Sequence, residues 1–406
     1  MTEGTSAEQF MFDAADRRHM KQALALAEKG LGRSSPNPSV GCIIVNEGKV
    51  VGRGFHEYAY KDHAEVRALR QAGDRSRNAT VYLTLEPCCH HGRTPPCVEG
   101  LIQAGVRRVV VGRTDPDPRV SSRGIDILRS AGIRVDAGLL AEQAGKIIES
   151  FACFITTGLP FVVSKVGMSL DGKIGTGQKE GRWITSPEGR EFGQHLRLRA
   201  DALLVGIGTV LFDDPELTYR AGAPKARPMI RAILDTELRT PPAARIFRTD
   251  QNAPVLIFCR PSVSRDRRME LEKRGAEILQ VPCSDNRLEL NAVLQELGKR
   301  GVLELLVEGG SRVHWSFLSK KLVDSFIFVI APMVLGGKDA IPSVGGEGYK
   351  TVKDSPRFRV RRSFAVGPDM VLEAYPSYSR SIISPWLSQE SAASDGRGSR
   401  LSSKRQ

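Results

Sequence analysis

The sequence predicts two α/β domains in tandem. Short β-branched runs alternate with helix-period segments along most of the chain, the pattern of sheets covered by helices. The alternation pauses near Thr156-Thr157-Gly158-Leu159-Pro160 and then restarts. The length of 406 residues accommodates two or three domains of about 150 residues.

Composition narrows the class. An apolar fraction of 41% with 26% charged residues excludes wholesale disorder, collagen and coiled coil. No stretch reaches the ~18–20 apolar residues of a membrane helix. The most apolar run, Phe326 to Leu335, is short and contains Pro332, so no membrane partner is expected. Lys plus Arg number 59 against 46 Asp plus Glu, and the net charge of +13 favours anionic partners. The first residues carry Glu3, Glu8, Asp13 and Asp16 and lack the basic start and apolar run of a secretory signal. Seven cysteines is a low, odd count, which fits a reducing cytoplasm better than a disulfide scaffold.

In chain order, residues 1–15 read as a loose leader. Met20, Ala23, Leu24 and Ala27 space a helix over 16–29, with Gly30 to end it. Strands at 40–45 and 50–55 flank the turn Asn46-Glu47-Gly48. A helix from His63 to Gln71, a strand at 80–85, a helix at 96–103, a strand at 108–111 and a last helix and strand over 124–135 complete a first domain, 16–150. Leu140 to Gly158 reads as a connector. The second domain, 158–376, has strands at 161–168, 202–207, 229–234, 255–259, 278–281, 302–307 and 325–330. Its helices lie near 186–199, 265–274, 287–300 and 312–320. The Ser-, Gly- and Arg-rich tail, 377–406, reads as disordered and basic.

One segment carries metal chemistry. His63-Ala64-Glu65 opens a helix, and Pro87-Cys88-Cys89-His90-His91-Gly92-Arg93-Thr94-Pro95-Pro96-Cys97 follows a strand. One His and two thiolates suit a catalytic zinc, which keeps a position for water. The first turn of a helix favours thiolate at Cys97. Glu65, two residues from His63, is placed to shuttle a proton rather than to ligate. A His-x-Glu followed by Pro-Cys and a further Cys is the zinc deaminase pattern. His63, Cys88 and Cys97 are the expected ligands, with Cys89, His90 and His91 as the alternatives to Cys88.

The second domain offers glycine turns after two strands, Gly206-Ile207-Gly208-Thr209 and Glu308-Gly309-Gly310-Ser311. Backbone amides there can approach a phosphate in one crevice. Lys165 interrupts an apolar strand, and with Asp171 it forms the polar pair expected to touch substrate.

These motifs together resemble a known family. PNPSVGCIIV (36–45), HAEVRAL, LEPCCHHGRTPPC and DPDPRV (115–120), followed by SKVGMSLDGKI (164–174), RWIT (182–185), LLVGIGTVLFDDPELTYR (203–220) and LVEGGSRV (306–313), resemble the bifunctional riboflavin-biosynthesis deaminase/reductase. The resemblance covers about 16–376. Cytidine and tRNA-adenosine deaminases have two residues between their cysteines; the longer spacing from Cys88 to Cys97 points to this family.

The resemblance implies a cytidine-deaminase-like three-layer domain followed by a dihydrofolate-reductase-like α/β domain. It implies a small phosphorylated pyrimidine as substrate, one Zn2+ per chain, NADPH, and no nucleic acid. The first domain would hydrolyse an amino group from a diaminopyrimidinone ribosylamine 5′-phosphate. Asn37 would touch that substrate, with His56 and Arg93 near its phosphate. The second domain would deliver hydride to the ribose C1′ and give a ribitylamine. Its substrate contacts would be Lys165, Asp171, Gly181, Arg197, Leu217, Arg220 and Glu308. NADPH would meet Gly167, Trp183, Thr209, Asp213, Thr236 and the loop Gly310, Ser311, Arg312, Val313, His314, Trp315 and Ser316. A homo-oligomer is expected.

Several positions depart from the family pattern. Gly167 stands for Ala, Gly181 for Ser, Ser150 for Asn, Asp117 for Asn, Ser122 for Gly and Cys89 for Ser. The hydroxyl missing at Gly181 would cost about 1 kcal/mol of substrate binding. A deaminase with a weak or inactive reductase domain is therefore one alternative, and a nucleoside or nucleic-acid deaminase a second.

Overall fold

The computed structural model describes residues 12–91, 95–178, 183–222, 225–248 and 253–378. Most of the leader and tail, with Arg93 and Gly181, lie outside the described residues.

The first sheet has the strand order β2-β1-β3-β4-β5. In chain order its domain runs α1 (Ala14–Gly30), β1 (Gly41–Asn46), β2 (Lys49–Phe55), α2 (Ala64–Ala72), β3 (Thr80–Leu85), α3 (Cys97–Gln103), β4 (Arg108–Arg113), α4 (Arg123–Ser130) and β5 (Arg134–Ala137). Glu47 and Gly48 between β1 and β2 both have positive φ, 48° and 71°, as a tight hairpin turn requires. β1 pairs antiparallel with β2 and β3, whereas β3, β4 and β5 run parallel. Alternation along the strands splits the core in two. Cys42, Ile44, Val81, Leu83 and Val109 pack on one face with Ala64 and Ala68 of α2 and Leu101 of α3. Ile43, Tyr82 and Val110 pack on the other with Met20, Ala23 and Ala27 of α1.

α1 starts two residues before the predicted helix. Asp13 caps it, its carboxylate accepting from Asp16 N at 2.6 Å, with the Asp16 side chain accepting from Asp13 N in return. The apolar stripe gives no sign of this cap. Asp16 also anchors the helix to the sheet. The Arg108 guanidinium meets it through two bonds of 2.8 and 3.0 Å, Tyr82 donates to it at 2.8 Å, and Arg108 Nε reaches Asp136 at 2.7 Å.

The stretch predicted as a connector is helical and packed. α5 (Ala141–Ile147) and α6 (Glu149–Thr157) break at Ile148, where φ is −107°. Splitting the apolar residues between two short helices leaves no single stripe to read. Ala144, Ile147 and Ile148 join the core beneath α1. Gly158, with φ 70°, ends α6.

The remaining elements are β6 (Phe161–Ser169), β7 (Lys173–Gly175), α7 (Pro187–Arg199), β8 (Ala202–Gly206), α8 (Ile207–Asp213), β9 (Ile230–Leu234), β10 (Val255–Cys259), α9 (Arg265–Glu272), β11 (Ala276–Gln280), β12 (Cys283–Ser284), β13 (Arg287–Leu288), α10 (Leu290–Lys299), β14 (Glu304–Val307), α11 (Ser311–Ser319), β15 (Ser325–Ala331), β16 (Ile341–Pro342), β17 (Phe358–Val366) and β18 (Asp369–Pro376). Nine of these strands form one sheet, ordered β11-β10-β9-β8-β14-β6-β15-β18-β17. Pairing from β11 through β15 is parallel, and β15-β18-β17 is antiparallel. The seven predicted strands are present. The β17–β18 pair was not anticipated, because β17 is rich in arginine and leaves Val360 54% exposed.

Burial works against the charge on Asp16, but the hydrogen bonds from Arg108 and Tyr82 outweigh it and hold the carboxyl below its usual range. A depressed carboxyl contributes stability above its unfolded pKa of about 3.9, and that stability is lost as pH falls through the folded value. Asp16→Asn is expected to destabilise the first domain at pH 7 by about 3 kcal/mol and to flatten the fall in stability below about pH 4. Urea unfolding across pH checks this; an unchanged acid limb would release Asp16 from the linkage.

Candidate active sites

Three chain segments converge at the first site. His63 is the N-cap of α2, Cys97 is the first residue of α3, and Cys88 lies three residues past the end of β3. His63 Nδ1 is 3.2 Å from Cys97 Sγ and 3.5 Å from Cys88 Sγ. The Cys97 amide donates to Cys88 Sγ at 3.3 Å. All three donor atoms lie within 4.8 Å of one another. The hydrogen bond from the Cys97 thiol pulls the Cys88 thiol far below its usual range, with His63 adding to the pull against burial. The same bond pushes Cys97 up. One nitrogen and two sulfurs, with a thiolate already favoured, fit a zinc ion, whose binding would displace the second thiol proton as well.

Glu65 lies against this cluster, 4% exposed. Burial raises its carboxyl pKa, and Cys88 adds to the rise. A carboxyl with a raised pKa is suited to general acid–base work. The alternatives to Cys88 turn away. Cys89 Sγ faces the Arg119 carbonyl at 3.9 Å, and His90 and His91 are exposed.

His56 is the neighbour of His63, their rings edge to face with centroids 5.3 Å apart. Burial lowers the His56 pKa, which favours the neutral ring. Its Nδ1 must donate to the Asp62 carbonyl at 2.8 Å, which leaves Nε2 to accept from Asn37 Nδ2 at 3.0 Å. The Asn37 amide is thereby oriented with its oxygen away from the ring. His56, expected near the substrate phosphate, is 3% exposed with both nitrogens engaged within the protein, so it acts here on Asn37.

A residue that sequence reasoning missed holds the Cys88 turn. The buried Glu86 carboxylate accepts from four backbone amides, those of Asp115 (3.1 Å), Ser122 (2.9 Å), Gly124 (3.0 Å) and Ile125 (3.2 Å). It thus ties the end of β3 to the loop after β4 and to the start of α4. Ser122, which replaces a glycine, has φ 64°. A non-glycine residue there costs about 1 kcal/mol, and its bond to Glu86 helps hold it. Asp117, which replaces Asn, forms a two-pronged ion pair with Arg119.

The second site lies at the carboxyl ends of β6, β14 and β8, which are neighbours in the sheet. Glu308 follows β14 and meets Arg197 of α7 through bonds of 3.2 and 2.6 Å. Arg197 Nη1 also donates to the Thr218 carbonyl at 2.9 Å. Burial opposes the Glu308 charge, yet Arg197 and Lys165 hold its carboxyl below the usual range. Lys165 Nζ rests against α7 near Gly193. The glycine turns after β8 and β14 face each other: a Cβ on Gly206 would stand 2.7 Å from Val313 Cγ2, so only glycine permits this approach. Thr209 and Gly310 are also in proximity, with 3.8 Å between the Thr209 hydroxyl and a Cβ built on Gly310.

Other expected contacts divide. Trp183 is 61% exposed with the Arg190 guanidinium 4.8 Å from its ring centroid. Arg220 is exposed and paired with Glu216. Thr209, Asp213, Thr236, Arg312, Val313 and Ser316 keep some exposure. Gly167 suits Thr185, since a Cβ there would come within 2.9 Å of the Thr185 methyl. Three expectations are corrected. The Leu217 side chain is 3% exposed and belongs to the core, so only its main chain can face a ligand. His314 is wholly buried, with Nδ1 2.7 Å from Ser164 Oγ, and it presents no surface to the crevice. The Asp171 carboxylate is spent on Ser169 Oγ and on the amides of Leu335 and Gly336, so it clamps the segment after β15 rather than waiting for substrate.

Comparison with known proteins accords with this geometry. Residues 13–113 match the cytidine and deoxycytidylate deaminase zinc-binding region, and 160–372 match the RibD C-terminal domain. Fold and site together define a zinc-dependent deaminase joined to an NADPH-dependent reductase. Riboflavin biosynthesis protein RibD of Aquifex aeolicus (strain VF5) is 40% identical over 362 residues, 89% of this chain and 99% of that protein. RibD of Escherichia coli (strain K12) is 40% identical over 368 residues, 88% and 98% of the two chains. The Acinetobacter baumannii RibD structure (form 1) superposes with a TM-score of 0.80 at 36% identity, covering 90% of this chain and 99% of that one. A Thermotoga maritima diaminohydroxyphosphoribosylaminopyrimidine deaminase/5-amino-6-(5-phosphoribosylamino)uracil reductase gives 0.77 at 34% identity, covering 89% and 99%. The chain belongs to the RibD family of bifunctional riboflavin-biosynthesis enzymes.

Glu86→Gln puts an NH2 group against amides that need an acceptor. Zinc affinity is expected to fall roughly ten- to a hundred-fold, measured as zinc per chain after competition with a chelator. Unchanged affinity would show that the Cys88 turn holds without this anchor.

Proposed function

We propose that the first domain removes the ring amino group of 2,5-diamino-6-(5-phosphoribosylamino)pyrimidin-4(3H)-one by hydrolysis, and that the second reduces the ribosyl side chain of the product to ribityl with NADPH. The observation that carries the first half is the convergence of His63, Cys88 and Cys97 with the buried Glu65 carboxyl against them. Zinc, when bound, acts as a Lewis acid that makes water a nucleophile at neutral pH. His63, Cys88 and Cys97 hold it. Glu65 takes the proton from the attacking water and passes it to the ring and to the leaving ammonia. Asn37, fixed by His56, orients the pyrimidine through its free amide oxygen. Arg93, which lies outside the described residues, would meet the substrate phosphate, a role its cationic fork suits.

In the second domain NADPH supplies the hydride. The facing turns after β8 and β14 offer backbone amides to the cofactor, and the start of α11 favours anionic oxygen. Lys165, Arg197 and Glu308 bind the sugar phosphate of the substrate and orient C1′. Thr209, Asp213, Thr236, Trp183 and the exposed part of 310–316 line the cofactor side. The low, odd cysteine count supports a cytoplasmic setting, and no described helix is long and apolar enough to cross a membrane.

Product masses test this directly. Zinc-loaded protein given the diaminopyrimidinone ribosylamine phosphate and NADPH should yield a product both deaminated and enriched by two hydrogens. A product that is deaminated alone would mark the second domain as inactive and favour the weak-reductase alternative. Glu65→Gln should keep its zinc and slow ammonia release roughly a hundred-fold or more; normal turnover would remove Glu65 from the reaction. Lys165→Ala should spare deamination and slow NADPH oxidation about ten-fold or more. Equal loss of both activities would place Lys165 in the fold rather than in the site.

A further inference from the structure

The loop between α1 and β1 carries Asn37 into the first site, and near its start it rests on the second domain. At Gly32 the chain lies backbone to backbone against the last turn of α7. A Cβ built on Gly32 would stand 2.0 Å from the Leu198 carbonyl oxygen and 2.9 Å from Arg199 Cα. Non-bonded carbon atoms rest about 3.5–4.0 Å apart, so no side chain fits, and both neighbours are backbone that cannot swing aside. Gly32 also has φ 73°, which a side chain disfavours. Glycine is required here twice, by the backbone and by the contact.

Both sides of this contact are held. On the loop, the Arg33 and Ser34 amides donate to the Gly30 carbonyl at 2.9 and 3.0 Å. The Tyr58 amide donates to the Arg33 carbonyl at 2.8 Å, and the Asn37 amide to the Ser34 carbonyl at 3.0 Å. These bonds leave little slack to absorb a shift at Gly32 before it reaches Asn37. On the helix, Arg197 is held by Glu308 and the Thr218 carbonyl. Arg199 reaches Glu304 at 3.4 Å, and the Lys225 ammonium donates to the Ala200 carbonyl. The end of α7 is thereby fixed to the sheet of the second domain.

We infer that the end of α7 is the seat of the Asn37 loop, so that Gly32 is a positioning residue for deamination, acting through Asn37, and the second domain completes the substrate site of the first. The inference rests on the reading of Asn37 as a contact of the pyrimidine. His63, Glu65, Cys88 and Cys97 come from α2, α3 and the segment after β3, outside this loop. Loss of the seat therefore weakens the hold on substrate and leaves the chemical step in place.

Ammonia release by the full-length, zinc-loaded protein without NADPH tests this, because only the first reaction then runs. Gly32→Ala is expected to raise KM for the diaminopyrimidinone ribosylamine phosphate roughly ten-fold or more, with kcat within about two-fold of wild type and zinc per chain unchanged. Gly48→Ala is the control. Gly48 has a like φ of 71°, but nothing beyond its chain neighbours lies within 4 Å of a built Cβ, so its KM should stay at the wild-type value. Gly32→Asn separates contact from strain, because asparagine tolerates positive φ yet carries the same Cβ; its KM should rise as for alanine. A wild-type KM in Gly32→Ala, a rise matched by Gly48→Ala, or a rise that Gly32→Asn abolishes each overturns the inference. Should both Gly32 variants fold poorly by their melting curves, Arg199→Lys decides from the other domain. It keeps a charge for Glu304 but shortens the hold on α7, and it should raise the same KM several-fold; an unchanged KM there overturns the inference. A wild type that releases no ammonia, or an Asn37→Ala variant with unchanged KM, would remove the reading on which the inference rests and the inference with it. A KM that rises in Asn37→Ala but not in Gly32→Ala overturns this inference alone.

Discussion

Parallel pairing is the constraint on which both sites depend. Parallel strands require a crossover between them, so their carboxyl ends collect on one edge of the sheet. In the first domain that edge receives Cys88 after β3 and the loop after β4. In the second it receives the turns after β8 and β14, with Lys165 of mid-β6 level with the latter, and the turns after β9 and β10. Groups distant in sequence meet because the ladder leaves their strands no other direction. The antiparallel additions serve the same edge: β2 runs in the direction of β3, so the segment after it brings His56 and His63 there, and the β17–β18 turn carries Asp369, whose carboxylate accepts from the Ser186 amide and hydroxyl at the start of α7.

Charge is handled differently in the two sites. The first places acidic and soft groups where burial and mutual hydrogen bonds divide their protons, with Cys88 drawn down and Glu65 pushed up. The second neutralises by pairing, with Glu308 kept ionised between Arg197 and Lys165. Proton traffic needs a group that can change state, whereas holding a sugar phosphate needs charges that stay fixed. The division fits a hydrolytic step in one domain and a hydride step in the other.

Much of this was legible in the sequence. Residue type and spacing mark His63, Glu65, Cys88 and Cys97, because few side chains suit zinc and fewer recur at those separations. The parallel strands announce themselves as short β-branched runs. Glu86 was illegible, since its four partners come from a loop and helix start some thirty residues downstream. His314 and Asp171 were misread for a related reason. Sequence marks both as polar residues beside a site, but only the fold shows that one faces Ser164 and the other is already occupied. β17 escaped notice because an edge strand need not be apolar.

The last strand also closes a loop back to the middle of the chain. The Tyr375 hydroxyl donates to Glu149 of α6 at 2.7 Å, Arg361 pairs with Glu142 of α5, and Lys146 lies 4.5 Å from the Tyr375 ring centroid. β6, the first strand of its sheet, lies between β14 and β15, which arrive more than a hundred residues later. Strand pairs in the first domain, such as Cys42 with Leu83 and Val81 with Val109, close over much shorter spans. On the ribosome, the deaminase half has all its strands once β5 has emerged, while β6 must wait for nearly the whole remaining chain to supply its neighbours. The order of synthesis thus matches the order of the chemistry, and the reductase half is the one left with unpaired strand edges for a chaperone to shield.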